Sequence, residues 1–151
     1  MAVDIVHEIT AEALEDELRR GEPVVVLDSR DHAAFTEWHL DPGSGATLVN
    51  VPEPEITAAP EHWLESLPAG PLRVICASGV GSQRVVRLLG AHGREGLSVR
   101  DGMIGWSRVL VAEEVPLAGP RRIVQFRREA RGCLSYLVVA GGEALVVDPA
   151  P

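Results

Sequence analysis

The residues best suited to chemistry lie together in the stretch Val74-Ile75-Cys76-Ala77-Ser78-Gly79-Val80-Gly81-Ser82-Gln83-Arg84. A cysteine stands at the end of an apolar run, mostly small residues follow, and Ser82 opens an amphipathic segment. With the run as a strand and the segment as a helix, Cys76 falls at the carboxyl end of a strand, the side on which α/β sheets bind ligands. Gly79 and Gly81 allow backbone angles that turn several amides inward, as an anion-binding nest around the sulfur. Those amides and the positive end of the helix favour thiolate over thiol and stabilise the charged products of its attack. The cradle expected around Cys76 runs through Ala77, Ser78, Gly79, Val80, Gly81 and Ser82. A plainer role for one cysteine is a small apolar plug on a core strand. Small residues and glycines between a strand and a helix are hard to explain as core packing, which favours a nucleophile.

The elements needed to position this loop are visible on either side of it. Val3 to Ile9 is β-branched and strand-like; Thr10 caps a helix whose buried face is Ala13, Leu14 and Leu18. Val24 to Leu27 is apolar at consecutive positions, as in a parallel strand buried on both faces. Asp31 to Leu40 reads as a short helix, Thr47 to Val51 as a strand, and Pro60 to Leu67 as another helix. Leu72 to Cys76 is a strand, Ser82 to His92 a helix with Val85, Leu88 and Leu89 on its core face, and Leu97 to Arg100 a last short strand. A Gly-rich turn and a segment around Trp106 to Val111 follow. Strand and helix alternating at this spacing predict right-handed βαβ units and an α/β fold, a central parallel sheet flanked by helices.

Beyond Pro116 the character changes. Leu117 to Pro120 looks like a linker, and residues 123–127, 133–139 and 143–147 read as strands, with Gly141-Gly142 as a hairpin turn. No helix intervenes, so a C-terminal β-meander is expected. Three such strands are marginal alone. They must pack on the first domain, pair with another chain, or open a longer domain.

Several motifs together resemble the rhodanese-like sulfurtransferases. Cys76 to Ser82 is similar to the active-site loop of that family, normally a cysteine, four residues, an arginine, and a serine or threonine. Leu27-Asp28-Ser29-Arg30 resembles its Asp-x-Arg strand end. Phe35, Trp38-His39-Leu40 and Gly43 to Asn50 resemble its Gly-His-Ile-Pro-Gly-Ala…Asn stretch, and Asp101 to Trp106 its late Gly-Gly…Trp turn. The resemblance implies a rhodanese-like domain over residues 1–117. It also implies a relay in which the Cys76 thiolate takes sulfane sulfur from a small sulfur-containing anion such as thiosulfate, or from a thiol persulfide. The resulting persulfide passes its sulfur to a nucleophilic acceptor. A loop from Cys76 to Gly81 suits one sulfur atom. Serine at 82, where phosphatase-type loops carry arginine, disfavours phosphatase chemistry.

This chain departs from the family pattern in a small insertion and Trp38 in place of glycine in the second stretch, and at two positions of the cysteine loop. Gly81 stands where the arginine is expected, and Ala77 where a basic residue often follows the cysteine. No guanidinium in the loop can then hold an anion bidentately, which should weaken thiosulfate binding and leave the thiolate to amides and the helix dipole. Arg84, on the first helical turn, is the candidate to reach back. A catalytically weak or inactive binding module is the rival expectation.

Asp28 and Arg30 are read chiefly as an ion pair holding the strand end beneath the loop, with substrate contact as the alternative. His39 is expected to satisfy a backbone carbonyl, and Trp106 to anchor the core. Glu12, Glu15, Asp16 and Glu17 are expected as a solvated acidic face. The histidines show no metal-ligand spacing. Residues 118–151 resemble the first strands of a metallo-β-lactamase-fold domain, as fused to rhodanese domains in enzymes resembling persulfide dioxygenases. That family's His-x-His-x-Asp-His motif is not in this sequence, so neither a catalytic metal nor another cofactor is expected. Cys133 is read as packing, and the apolar strand edges of the tail as a route to a homo-oligomer.

Composition bounds the rest. The chain has 151 residues, 46% of them apolar and 24% charged, enough for a packed core. Acids outnumber bases 22 to 14, giving a net charge of −8, which argues against nucleic acid and anionic membrane as partners. Every base is arginine; the missing lysine excludes a lysine Schiff base and a lysine-bearing phosphate loop. The 2 cysteines are too few for a disulfide framework. With no secretory leader and no run of about 18 apolar residues, a cytoplasmic protein is expected.

Overall fold

A computed structural model describes residues 6–119, 121–130 and 132–149. Parts of two expected segments, residues 3–5 of the first strand and Pro120 of the linker, lie outside the described residues. The chain divides into two compact units, Met1–Trp106 and Ser107–Pro151. The first contains β1 (Glu8–Ile9), α1 (Ala11–Arg19), β2 (Val25–Asp28), α2 (His32–Glu37), β3 (Thr47–Asn50), α3 (Glu53–Ala58), α4 (Pro60–Ser66), β4 (Leu72–Ile75), α5 (Val80–Ala91), β5 (Gly96–Val99) and α6 (Gly102–Trp106). The second contains β6 (Leu110–Val115), β7 (Arg122–Arg128), β8 (Cys133–Ala140) and β9 (Glu143–Val147).

The five strands of the first unit form a parallel sheet in the order β1-β5-β4-β2-β3, the α/β arrangement that alternation predicts. Every residue of β2 is buried, as its unbroken apolar run requires. Leu27 of β2 pairs with Val74 of β4 and Val49 of β3. Val25, Leu27, Leu72 and Val74 pack with Ile56 of α3 and with Val85, Val86 and Leu89 of α5 in the hydrophobic core. Thr10 caps α1, its hydroxyl accepting from the Ala13 amide at 3.2 Å. The buried face of α1 is Ala11, Leu14 and Leu18, while Ala13, expected inward, is exposed. The acidic face is only partly solvated: Glu15 is buried, and Glu17 holds Arg73 with oxygens 2.8 Å from Nε and from a terminal nitrogen.

Two short helices were not legible as helices. In α3 the two prolines at 52 and 54 read as loop, yet proline is tolerated at a helix start, where its missing N–H has no partner to lose. Two of the five residues of α6 are glycine, which reads as a turn. The sequence placed the domain boundary after residue 117, but the compact units divide after Trp106. The cause is β6, which pairs antiparallel with β7 from Leu110 opposite Arg128 to Val115 opposite Ile123. The C-terminal meander is therefore a four-stranded antiparallel sheet, β6-β7-β8-β9. Cys133, expected to pack mid-strand, is exposed at the start of β8. Among the described residues, no helix is long and apolar enough to cross a membrane.

α6 fixes the start of the cysteine loop. The Met103 amide donates to the Cys76 carbonyl at 2.8 Å, and the Ile104 amide to the Ala77 carbonyl at 3.1 Å. Gly102, at φ 52°, starts this helix, and a Cβ built on it would overlap the Cys76 carbonyl oxygen. Gly102→Ala must therefore push backbone against backbone, and should lower the stability of the first unit by about 1–3 kcal/mol in denaturant titration. Leu27→Ala, emptying a site with no solvent exposure, should lower it by about 2–5 kcal/mol in the same measurement.

Candidate active site

Cys76 follows directly on β4 and is buried, with 7% of its surface exposed. The Gly79 amide donates to its Sγ at 3.1 Å. Gly79 holds φ 90°, a left-handed angle that suits glycine and places it as the N-cap of α5. Among the described residues this is the one backbone amide that donates to the sulfur, so the expected ring of amides is narrower than the loop composition suggested. Ala77, Ser78 and Val80 are exposed, whereas Gly79, Gly81 and Ser82 are buried.

Two fully buried hydroxyls lie beneath the sulfur. The Cys76 thiol donates to Ser82 Oγ at 3.4 Å, and the Ser82 hydroxyl donates to the Gly79 carbonyl at 3.0 Å. Ser98 Oγ of β5 is 2.9 Å from Ser82 Oγ. Since the single proton of Ser82 is directed to Gly79, Ser98 is the donor in that pair. When the thiol loses its proton, the Ser82 hydroxyl can rotate to donate to sulfur, with Ser98 still donating behind it. The chain of hydroxyls can thus support either protonation state.

The Asp28 and Arg30 side chains form an ion pair at the end of β2. The Arg30 guanidinium contacts Asp28 with Nε 3.0 Å and 3.1 Å from the two carboxylate oxygens and a terminal nitrogen 2.6 Å from one of them. That same nitrogen donates to the Trp38 carbonyl at 2.7 Å. The Asn50 side-chain amide donates to the Asp28 and Arg30 carbonyls, both at 2.9 Å. Ser29 ties this corner to the strand bearing the cysteine, its amide reaching the Ile75 carbonyl at 2.8 Å. His39 Nδ1 lies 2.9 Å from the Phe35 carbonyl, and Trp106 is buried, both in structural positions. Among the described residues, no cluster of His, Cys, Asp and Glu is suited to a metal ion.

Arg84, the residue considered for reaching back to the loop, is paired with Glu53. Its Nε is 2.6 Å from Glu53 Oε1 and a terminal nitrogen 2.9 Å from Oε2. The hydrogen bond to Glu53 and then the Glu53 charge hold the guanidinium above its ordinary range, and Cys76 adds in the same direction. A Cβ built on Gly81 would lie 2.8 Å from Glu53 Oε2 and 3.6 Å from Cys76 Sγ. Glu53 and the sulfur therefore border the same unfilled side-chain position. Sequence reasoning missed Glu53 and Ser98. For Glu53 the signal was an acidic first turn beside prolines, which marks a helix start; for Ser98 it was a polar residue within a buried strand.

The comparisons fit this geometry. A family model described as the Rhodanese-like domain matches residues 10–109. The Rhodanese-like domain protein from Staphylococcus aureus is 27% identical with TM-score 0.56, over 67% of this chain and 91% of its own. A rhodanese-related protein from Thermoplasma volcanium shares the fold at 24% identity and TM-score 0.54, over 66% of this chain and 89% of that one. A rhodanese-like domain from Anabaena does so at 20% identity and TM-score 0.54, over 77% and 94%. No functionally curated protein matches the chain. With the match spanning β2 to β5 and the whole cysteine loop, the chain belongs to the rhodanese-like domain family.

Proposed function

We propose that the protein is a sulfurtransferase with Cys76 as its nucleophile. The Cys76 thiolate attacks the outer, sulfane sulfur of a thiol persulfide or of thiosulfate. A new S–S bond forms at Cys76 while the donor's S–S bond breaks, and the thiolate or sulfite leaves with the bonding electron pair. An acceptor thiolate then attacks the outer sulfur of the Cys76 persulfide, and Cys76 departs as thiolate. Both steps are substitutions with no net oxidation.

The observation that carries this reading is the Gly79 amide 3.1 Å from a sulfur at the carboxyl end of a parallel strand. A fixed dipole there stabilises the thiolate before attack and the terminal sulfur afterwards. The residues Ala77 to Ser82 form the cradle, Asp28 and Arg30 brace it, and Arg84 stands at its mouth. The rival reading, a weak or inactive binding module, is favoured by Gly81, which puts no cation in the loop.

For the second unit we propose the opening sheet of a metallo-β-lactamase-type domain. β9 is an edge strand exposed along its length, with Leu145 62% and Val146 53% exposed, so its apolar side chains await a cover. Pairing of two chains through β9 is the competing account, and light scattering that shows a monomer at all concentrations would remove it.

Incubation with glutathione persulfide should add one sulfur atom to the intact mass, located at Cys76 by peptide mapping and lost in Cys76→Ser. Mass gain confined to Cys133, or none with either donor, would leave the binding module.

A further inference from the structure

We propose that Glu53 determines which donors reach Cys76, selecting a thiol persulfide protonated at its sulfane sulfur over a dianion such as thiosulfate. This rests on the relay reading above and names the donor class of that site. Glu53 Oε2 lies 2.8 Å from the Cβ position of residue 81, and that position lies 3.6 Å from Cys76 Sγ. The glycine thus admits a carboxylate to the place beside the sulfur that a side chain would otherwise fill. The same carboxylate engages Arg84 at two nitrogens, 2.6 Å and 2.9 Å away. A guanidinium so paired has little positive potential left for an incoming anion.

The mouth of the site therefore carries a paired cation and anion with no net charge between them. The exposed side chains flanking the loop include Val80 and Ile104, 59% and 48% exposed and both apolar. Arg30, the other arginine of this corner, is committed to Asp28 and the Trp38 carbonyl. A dianionic donor would have to approach a carboxylate and a thiolate, with the Arg84 guanidinium already paired to that carboxylate. A protonated thiol persulfide brings its sulfane sulfur uncharged, and the leaving thiolate can be neutralised by solvent as it departs.

The test compares two alkylating agents of nearly the same shape, anionic iodoacetate and neutral iodoacetamide. Their rates at Cys76 are read in the full chain by peptide mass spectrometry, which separates Cys76 from Cys133. Glu53→Gln removes the carboxylate charge and keeps a hydrogen-bond acceptor for Arg84. It should raise the iodoacetate-to-iodoacetamide ratio by roughly ten-fold. Arg84→Gln leaves the carboxylate unpaired and should lower the ratio several-fold. A merely structural pair would move both variants the same way, and such a result, or no movement, overturns the proposal.

Sulfur loading gives the second readout. Glu53→Gln should increase loading of Cys76 by thiosulfate and change loading by glutathione persulfide little. If Cys76 is loaded but neither the alkylation ratio nor the donor preference moves, Glu53 has no such role and the relay stands. If the ratio moves in opposite directions while neither donor loads Cys76, the relay fails, donor selection falls with it, and only the local charge effect survives.

Discussion

The site depends on where two carbonyl groups point. The carbonyls of Cys76 and Ala77 accept the first free amides of α6, from Met103 and Ile104. A carbonyl carries the negative end of the peptide dipole, and one facing the sulfur would oppose its ionisation. By binding these two oxygens, α6 leaves the Gly79 amide as the backbone group that faces Sγ. The arrangement requires α6 to begin against the loop, and only a residue without a Cβ can stand at that point. A glycine one helix away from the cysteine thereby decides the polarity of the cysteine's surroundings.

Two kinds of electrostatics meet at the sulfur, and they differ in range and permanence. The Gly79 amide and the buried hydroxyls of Ser82 and Ser98 are fixed dipoles in a water-poor setting, so they act strongly at short range and do not titrate. Arg84 and Glu53 are full charges, but the guanidinium is 58% exposed and the pair largely cancels at a distance. The dipoles therefore act on the sulfur at contact range, while the charged pair is partly screened by solvent.

Much of the first unit could be read from the chain because its strands are short, apolar and central. Burial on both faces of β2 leaves a run of consecutive valines and leucines that no exposed strand would keep. The boundaries of α1 followed from the Thr10 cap in the same way. Periodicity fails for α3 and α6 because helices of six and five residues offer barely one turn in which a pattern can repeat. β6 was missed for a different reason: it is mostly exposed and carries the adjacent glutamates Glu113 and Glu114, and its place in the sheet comes from pairing with β7.

The cysteine loop shows the same division between local and long-range information. Its glycines look alike in the sequence, yet the structure gives them different work. Gly79 is needed for its backbone angle, which turns an amide onto the sulfur; Gly81 is needed for the space it leaves. The first requirement is local, and a glycine between a strand and a helix announces it. The second depends on Glu53, which reaches residue 81 because α3 folds over the loop. A missing arginine in the loop reads as a deficit when the loop is considered alone. With Glu53 in view it becomes a substitution of charge, since the same small residue that removes a cation also admits an anion.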